Sequence, residues 1–94
     1  MTRSIMQKDR SRCFICGSRS WLEEHHVFGG PDRKRSTKYG LVVSLCHYCH
    51  NEPPNGVHHN AEKMAELKAC GQATFEDKYG HELFMAEFGK NWRD

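Results

Sequence analysis

Two Cys-x-x-Cys pairs, Cys13-Phe-Ile-Cys16 and Cys46-His-Tyr-Cys49, constrain this chain more than any other feature, and 29 residues separate them. A two-residue spacer lets a tight turn aim both sulfurs at one ion, and two such turns complete a tetrahedron around zinc. Four thiolates close the coordination shell, so a zinc ion held this way works as a staple that pins the intervening residues at their base. The chain needs one. With 94 residues, 37% apolar residues and a mean hydropathy of -0.82, it has room for one domain and a thin core. The fifth cysteine, Cys70, lies outside both pairs and is expected to be semi-buried. An odd cysteine count, no apolar run long enough to span a membrane, and no apolar h-region near the N-terminus point to a cytoplasmic protein whose paired thiols bind metal.

The pattern along the chain predicts an α+β fold. Residues 1–12 are polar and basic and read as a flexible arm; residues 13–94 form a single domain. Within it, residues 21–28 (WLEEHHVF) and the β-branched run Gly-Leu-Val-Val-Ser-Leu-Cys ending at Cys46 read as strands of a small hairpin with a long basic connection. After Pro53-Pro54-Asn55-Gly56 the pattern turns helical. Asn60 is placed to cap a first helix running through Ala69, with Gly71 following as its stop. Thr74 with Asp77 suggests the start of a second, running to about Phe88, with Phe75, Tyr79, Leu83 and Ala86 on its apolar face and Gly89 as its stop.

Between the cysteine pairs lies Glu24-His25-His26-Val27-Phe28-Gly29-Gly30, and His50 directly follows the second pair. Strand alternation points His25 and His26 to opposite faces, so one can bind a metal while the other stays free as a base. A Cys-x-x-Cys, a histidine pair at a strand end and Leu45-Cys46-x-x-Cys49-His50 together resemble the HNH endonucleases, also called His-Me finger or ββα-metal nucleases, and in particular their zinc-stapled phage and prophage forms. The resemblance covers residues 13–60. It implies a ββα-metal core over 13–60 with C-terminal helices over 60–90, and a structural Zn2+ on Cys13, Cys16, Cys46 and Cys49. It also implies a catalytic divalent cation (Mg2+, Mn2+, Zn2+ or Ni2+) on His25 and His50, with His26 as the general base. His58 is a candidate third ligand; His59 is a weaker one. His47 and His81 are expected to be ordinary surface residues.

The activity this implies is metal-dependent DNA hydrolysis leaving 5'-phosphate and 3'-hydroxyl ends, with phage packaging or recombination proteins as further partners. One position departs from the family pattern: Leu41 stands where the family's central Asn braces the loop that carries the base. The alternative reading is therefore a noncatalytic zinc-ribbon module that binds nucleic acid or protein. Charge favours a polyanionic partner in either case. Residues 1–50 hold nine Lys/Arg against four Asp/Glu, and residues 51–94 hold five against eight. Arg33, Lys34, Arg35 and Lys38, in the connection leaving the Gly-Gly turn, are candidate DNA phosphate contacts of low sequence specificity.

Overall fold

A computed structural model describes residues 3–93. Two strands, β1 (Leu22–His26) and β2 (Val42–Cys46), pair antiparallel, with Leu22 opposite Cys46 and His26 opposite Val42. Four helices follow the chain: α1 (Arg33–Tyr39), α2 (His47–Asn51), α3 (Ala61–Tyr79) and α4 (His81–Phe88), with short 3-10 turns at Gly30–Asp32 and Val57–His59. The fold is thus a small α+β domain.

β2 is buried along its whole length. Alternation sends Val43 and Leu45 into the main core with Leu41, Leu67, Phe75 and Phe84. The open edge of β2 is covered by the N-terminal segment, including residues of the stretch expected to be a flexible arm, and by the first cysteine turn. The Ser4 hydroxyl donates to the Val42 carbonyl, Ser44 N donates to Gln7 Oε1, and Phe14 N donates to the Ser44 carbonyl. A buried two-stranded sheet leaves ladder groups unmatched, and these bonds satisfy them.

Two elements differ from expectation. The basic connection between the strands is a helix, α1, that ends on Gly40 in the left-handed conformation. Gly71 does not stop the helix that Asn60 caps through its bond from Lys63 N. α3 runs on to Tyr79, because Gly71 is where it crosses β1's exit: a Cβ there would lie 3.1 Å from Val27 Cγ1 and 3.3 Å from Phe28. Glycine here serves close packing. Thr74 caps nothing; its hydroxyl donates back to the Cys70 carbonyl. The break falls at Gly80, whose φ of 93° and ψ of 160° fit no helix. α4 then folds its Phe84 and Phe88 onto Phe28 and Phe75 in an aromatic cluster. Tyr79 stays exposed and Cys70 is exposed rather than semi-buried.

Candidate metal centres and base

The four paired cysteines come together. Cys13 and Cys16 sit on a turn closed by Gly17, in the left-handed region, whose N–H donates to the Cys13 carbonyl. Cys46 ends β2 and Cys49 lies in the first turn of α2. All four sulfurs lie within 4.8 Å of one another, and Cys16 Sγ is 3.6 Å from Cys46 Sγ. Zn–S bonds of about 2.3 Å in a tetrahedron give S···S edges of about 3.8 Å, so the cluster is sized for a metal such as zinc. Its electrostatics agree. Burial pushes the Cys13 thiol up, but N–H groups of Cys16, Cys46 and Ile15 outweigh it and bring it to about 7. Burial and the neighbouring thiols push Cys46 and Cys49 up. Thiols this crowded resist ionising together unless a dication joins them.

A second cluster forms where β1, α2 and the turn at Val57–His59 meet. One ring nitrogen from each of His25, His50 and His58 lies within 4.8 Å of the others. His50 Nε2 and His58 Nε2 are 3.0 Å apart; two nitrogens bound at right angles to one cation at about 2.1 Å stand about 3.0 Å apart. His25 is buried, and its Nε2 is a buried polar atom without a hydrogen-bond partner. Orphaned buried nitrogens are costly, and a cation among three imidazoles removes that cost. Burial, reinforced by His50, His58, His26 and Lys68, lowers the His25 pKa to about 3, so its imidazole is neutral at pH 7, the form a ligand needs. Burial likewise lowers His58, with His50 and His59 adding to it.

Sequence reading missed Glu23. Its Oε1 accepts from His50 Nδ1–H at 2.7 Å and its Oε2 from His47 Nδ1–H at 3.0 Å. These bonds, that of His50 first, hold the carboxyl below its ordinary range. By fixing a proton on His50 Nδ1, Glu23 leaves the Nε2 lone pair facing the cluster. His47 is accordingly more than a surface residue. Glu23 raises its pKa, Glu52 bonds its other nitrogen, and Trp21 stacks on its ring at 4.4 Å. His81 bonds Glu76 in the α3–α4 corner.

His26 points away from this cluster, toward α1. Its Nε2 lies 3.1 Å from Thr37 Oγ1, and that hydroxyl donates to the Arg33 carbonyl. The hydroxyl's one proton is used, so it accepts from Nε2–H, and the lone pair of His26 sits on Nδ1. Burial, then the positive charge of Arg33, holds the His26 pKa below its ordinary value. The loop after it is fixed by another residue of α1. The buried Ser36 hydroxyl accepts from Phe28 N and donates to the Phe28 carbonyl. Leu41 is fully buried in the core and lends no side-chain hydrogen bond; Ser36 braces this loop instead.

The basic candidates separate. Lys34 and Lys38 are exposed on α1, and Arg33 is exposed beside His26. Arg35 is bound to Asp32 and Glu87, which ties α1 to α4. Among the described residues no helix is long and apolar enough to cross a membrane. No protein-family model, curated protein or solved structure matches the chain.

Proposed function

We propose that this chain is a metal-dependent DNA endonuclease of the HNH type, with a structural zinc on Cys13, Cys16, Cys46 and Cys49 and a catalytic divalent cation on His25, His50 and His58. The observation that carries this reading is the second cluster: three imidazoles, one with an orphaned buried nitrogen, converge on one point, while the next residue of β1, His26, turns to a hydroxyl of α1. Purely structural histidines would leave no buried ring nitrogen without a partner, as His25 Nε2 is.

The two centres have different characters. Four thiolates leave no place for substrate, whereas three imidazoles leave positions for water and phosphate. A divalent cation at the histidine cluster would supply Lewis-acid stabilisation of charge on a phosphodiester and its departing oxygen. The chain's own residues do the rest. His26 Nδ1, oriented through Thr37 and neutral at physiological pH, takes a proton from water aimed at phosphorus. Arg33, beside it, keeps the imidazole deprotonated between turnovers and offers a positive charge to the phosphate. Ser36 fixes the loop from which His26 projects, limiting the reorganisation needed at reaction.

Incubation of the zinc-loaded protein with supercoiled plasmid and Mg2+ or Mn2+ should give nicked and linear products, and end analysis should find 5'-phosphates. DNA binding with no cleavage under any divalent ion would overturn the reading in favour of a noncatalytic zinc-ribbon module.

A further inference from the structure

A small cleft beside α1 brings together cations from three separate parts of the chain. Arg3, Lys38 of α1 and Lys78 of α3 line a space of about 110 Å3 with Tyr39, Tyr79 and Thr37, and no carboxylate forms part of its wall. At about 30 Å3 per water, it has room for a phosphate group.

The convergence is built rather than incidental. Residue 3 reaches the cleft because Ile5 N donates to the Gly40 carbonyl at 2.9 Å. That approach needs glycine: Gly40 has a φ of +75°, and a Cβ on it would lie 3.0 Å from the Arg3 carbonyl oxygen. Lys38 Nζ stands over the Tyr39 ring and Lys78 Nζ over the Tyr79 ring, at 5.2 and 5.5 Å. The two rings meet edge to face with centroids 5.4 Å apart, so the tyrosine pair draws the two ammonium groups toward one place.

Several arginines elsewhere are neutralised by carboxylates. Arg12 pairs with Asp9, Arg35 with Asp32 and Glu87, and Arg93 with Glu76. Among the described residues, neither Arg3, Lys38 nor Lys78 makes an ion pair. Asp77 lines an adjoining cleft, but there it faces Arg3, Lys8 and Lys78 together. Like charges gathered in one concavity focus a positive potential that favours an anion.

The location says which anion. Thr37 forms part of the cleft wall and is also the residue that holds His26. We propose that Arg3, Lys38 and Lys78 clamp a backbone phosphate of the DNA strand, adjacent to the phosphate presented to His26. This rests on the nuclease reading for the substrate, though not for the existence of the anion site. The clamp sets the register of the strand without reading bases, and it adds Arg3 and Lys78 to a contact surface otherwise confined to α1.

The test is binding of the full, zinc-loaded chain to a short fluorescein-labelled duplex, followed by anisotropy over a range of salt, with Ca2+ in place of Mg2+. Lys78→Gln and, separately, Arg3→Gln should weaken binding several-fold, and each should lower the slope of log Kd against log salt by about 1. Lys90→Gln, the same charge change near the exposed end of α4, should do neither. In cleavage assays Lys78→Gln should raise KM for DNA and leave kcat in place. Affinity and salt slope of both cleft variants equal to those of Lys90→Gln would overturn the clamp, even if the wild-type chain cleaves DNA. Weakened binding by Lys78→Gln in a protein that never cleaves would support the clamp and leave the nuclease reading to fall alone.

Discussion

Glu23 and His25 are two residues apart on β1 and therefore share a face, toward α2 and the 3-10 turn that follows it; Glu24 and His26 share the other, toward α1 and Arg10. That alternation splits one short motif into a half that faces the histidine cluster and a half that faces α1. It is readable from the sequence, and the same period of two, counted back from His25, is the signal that points to the missed Glu23. What the sequence withheld was Glu23's partner, since nothing local says that α2 folds His50 back over β1. The role assigned to Glu23 predicts that Glu23→Gln, which keeps the shape but loses the anion, weakens Mn2+ binding at the histidine cluster by about tenfold or more. An electron paramagnetic resonance titration of the zinc-loaded protein measures this, and an unchanged affinity would remove Glu23 from the account. For His26 the sign of the pH effect follows from its surroundings. Burial and Arg33 both disfavour the imidazolium, so the proton is taken up only at lower pH, and the acid limb of the cleavage profile should lie below the ordinary histidine value of 6.5. Arg33→Gln removes one of those influences and should move the limb upward; a limb that stays put or moves downward contradicts the assignment.

Elements show where local patterning is overridden. The strands were legible because β-branched residues and alternation mark them, and Asn60 announced the start of α3. The helix α1 was not, because Arg33-Lys34-Arg35-Ser36-Thr37-Lys38-Tyr39 presents a polar surface with little apolar periodicity. Its buried contacts are one serine and a partly buried tyrosine. Gly71 misled for a related reason: a glycine that ends a helix and one that lets a helix pass close to another segment look alike in sequence. Gly71→Leu should therefore destabilise the protein, by about 1–3 kcal/mol from overpacking against Val27 and Phe28, although leucine is the better helix former. Denaturant unfolding decides between packing and propensity by the sign of the change. Ser36→Ala strips both bonds from Phe28 and leaves buried backbone groups unmatched, at a cost of about 1–3 kcal/mol. The same variant should slow cleavage, because the loop after His26 loses its brace.

At the scale of the molecule, both clusters are built on one hairpin and the helix after it: Cys46 ends β2, Cys49 and His50 are neighbours in α2, and His25 lies on β1 opposite Val43. The four-cysteine cluster was the most legible part of the chain, since its spacing alone specifies a tetrahedron. Metal there should carry much of the stability. Structural zinc contributes about 10–16 kcal/mol of apparent binding energy in small zinc domains, comparable to or above the whole stability of a typical domain at about 5–15 kcal/mol. Strong chelation, or Cys46→Ser, should thus unfold the protein in circular dichroism, whereas His50→Ala should leave it folded with its zinc. A folded, zinc-loaded Cys46→Ser protein would dismiss the staple. The decisive comparison is between the wild-type chain and His26→Ala, each with the same zinc content and DNA affinity, in relaxation of supercoiled plasmid with Mg2+ or Mn2+. The wild-type protein should cleave and His26→Ala should not; equal cleavage by the two, or none by either, would contradict the nuclease reading.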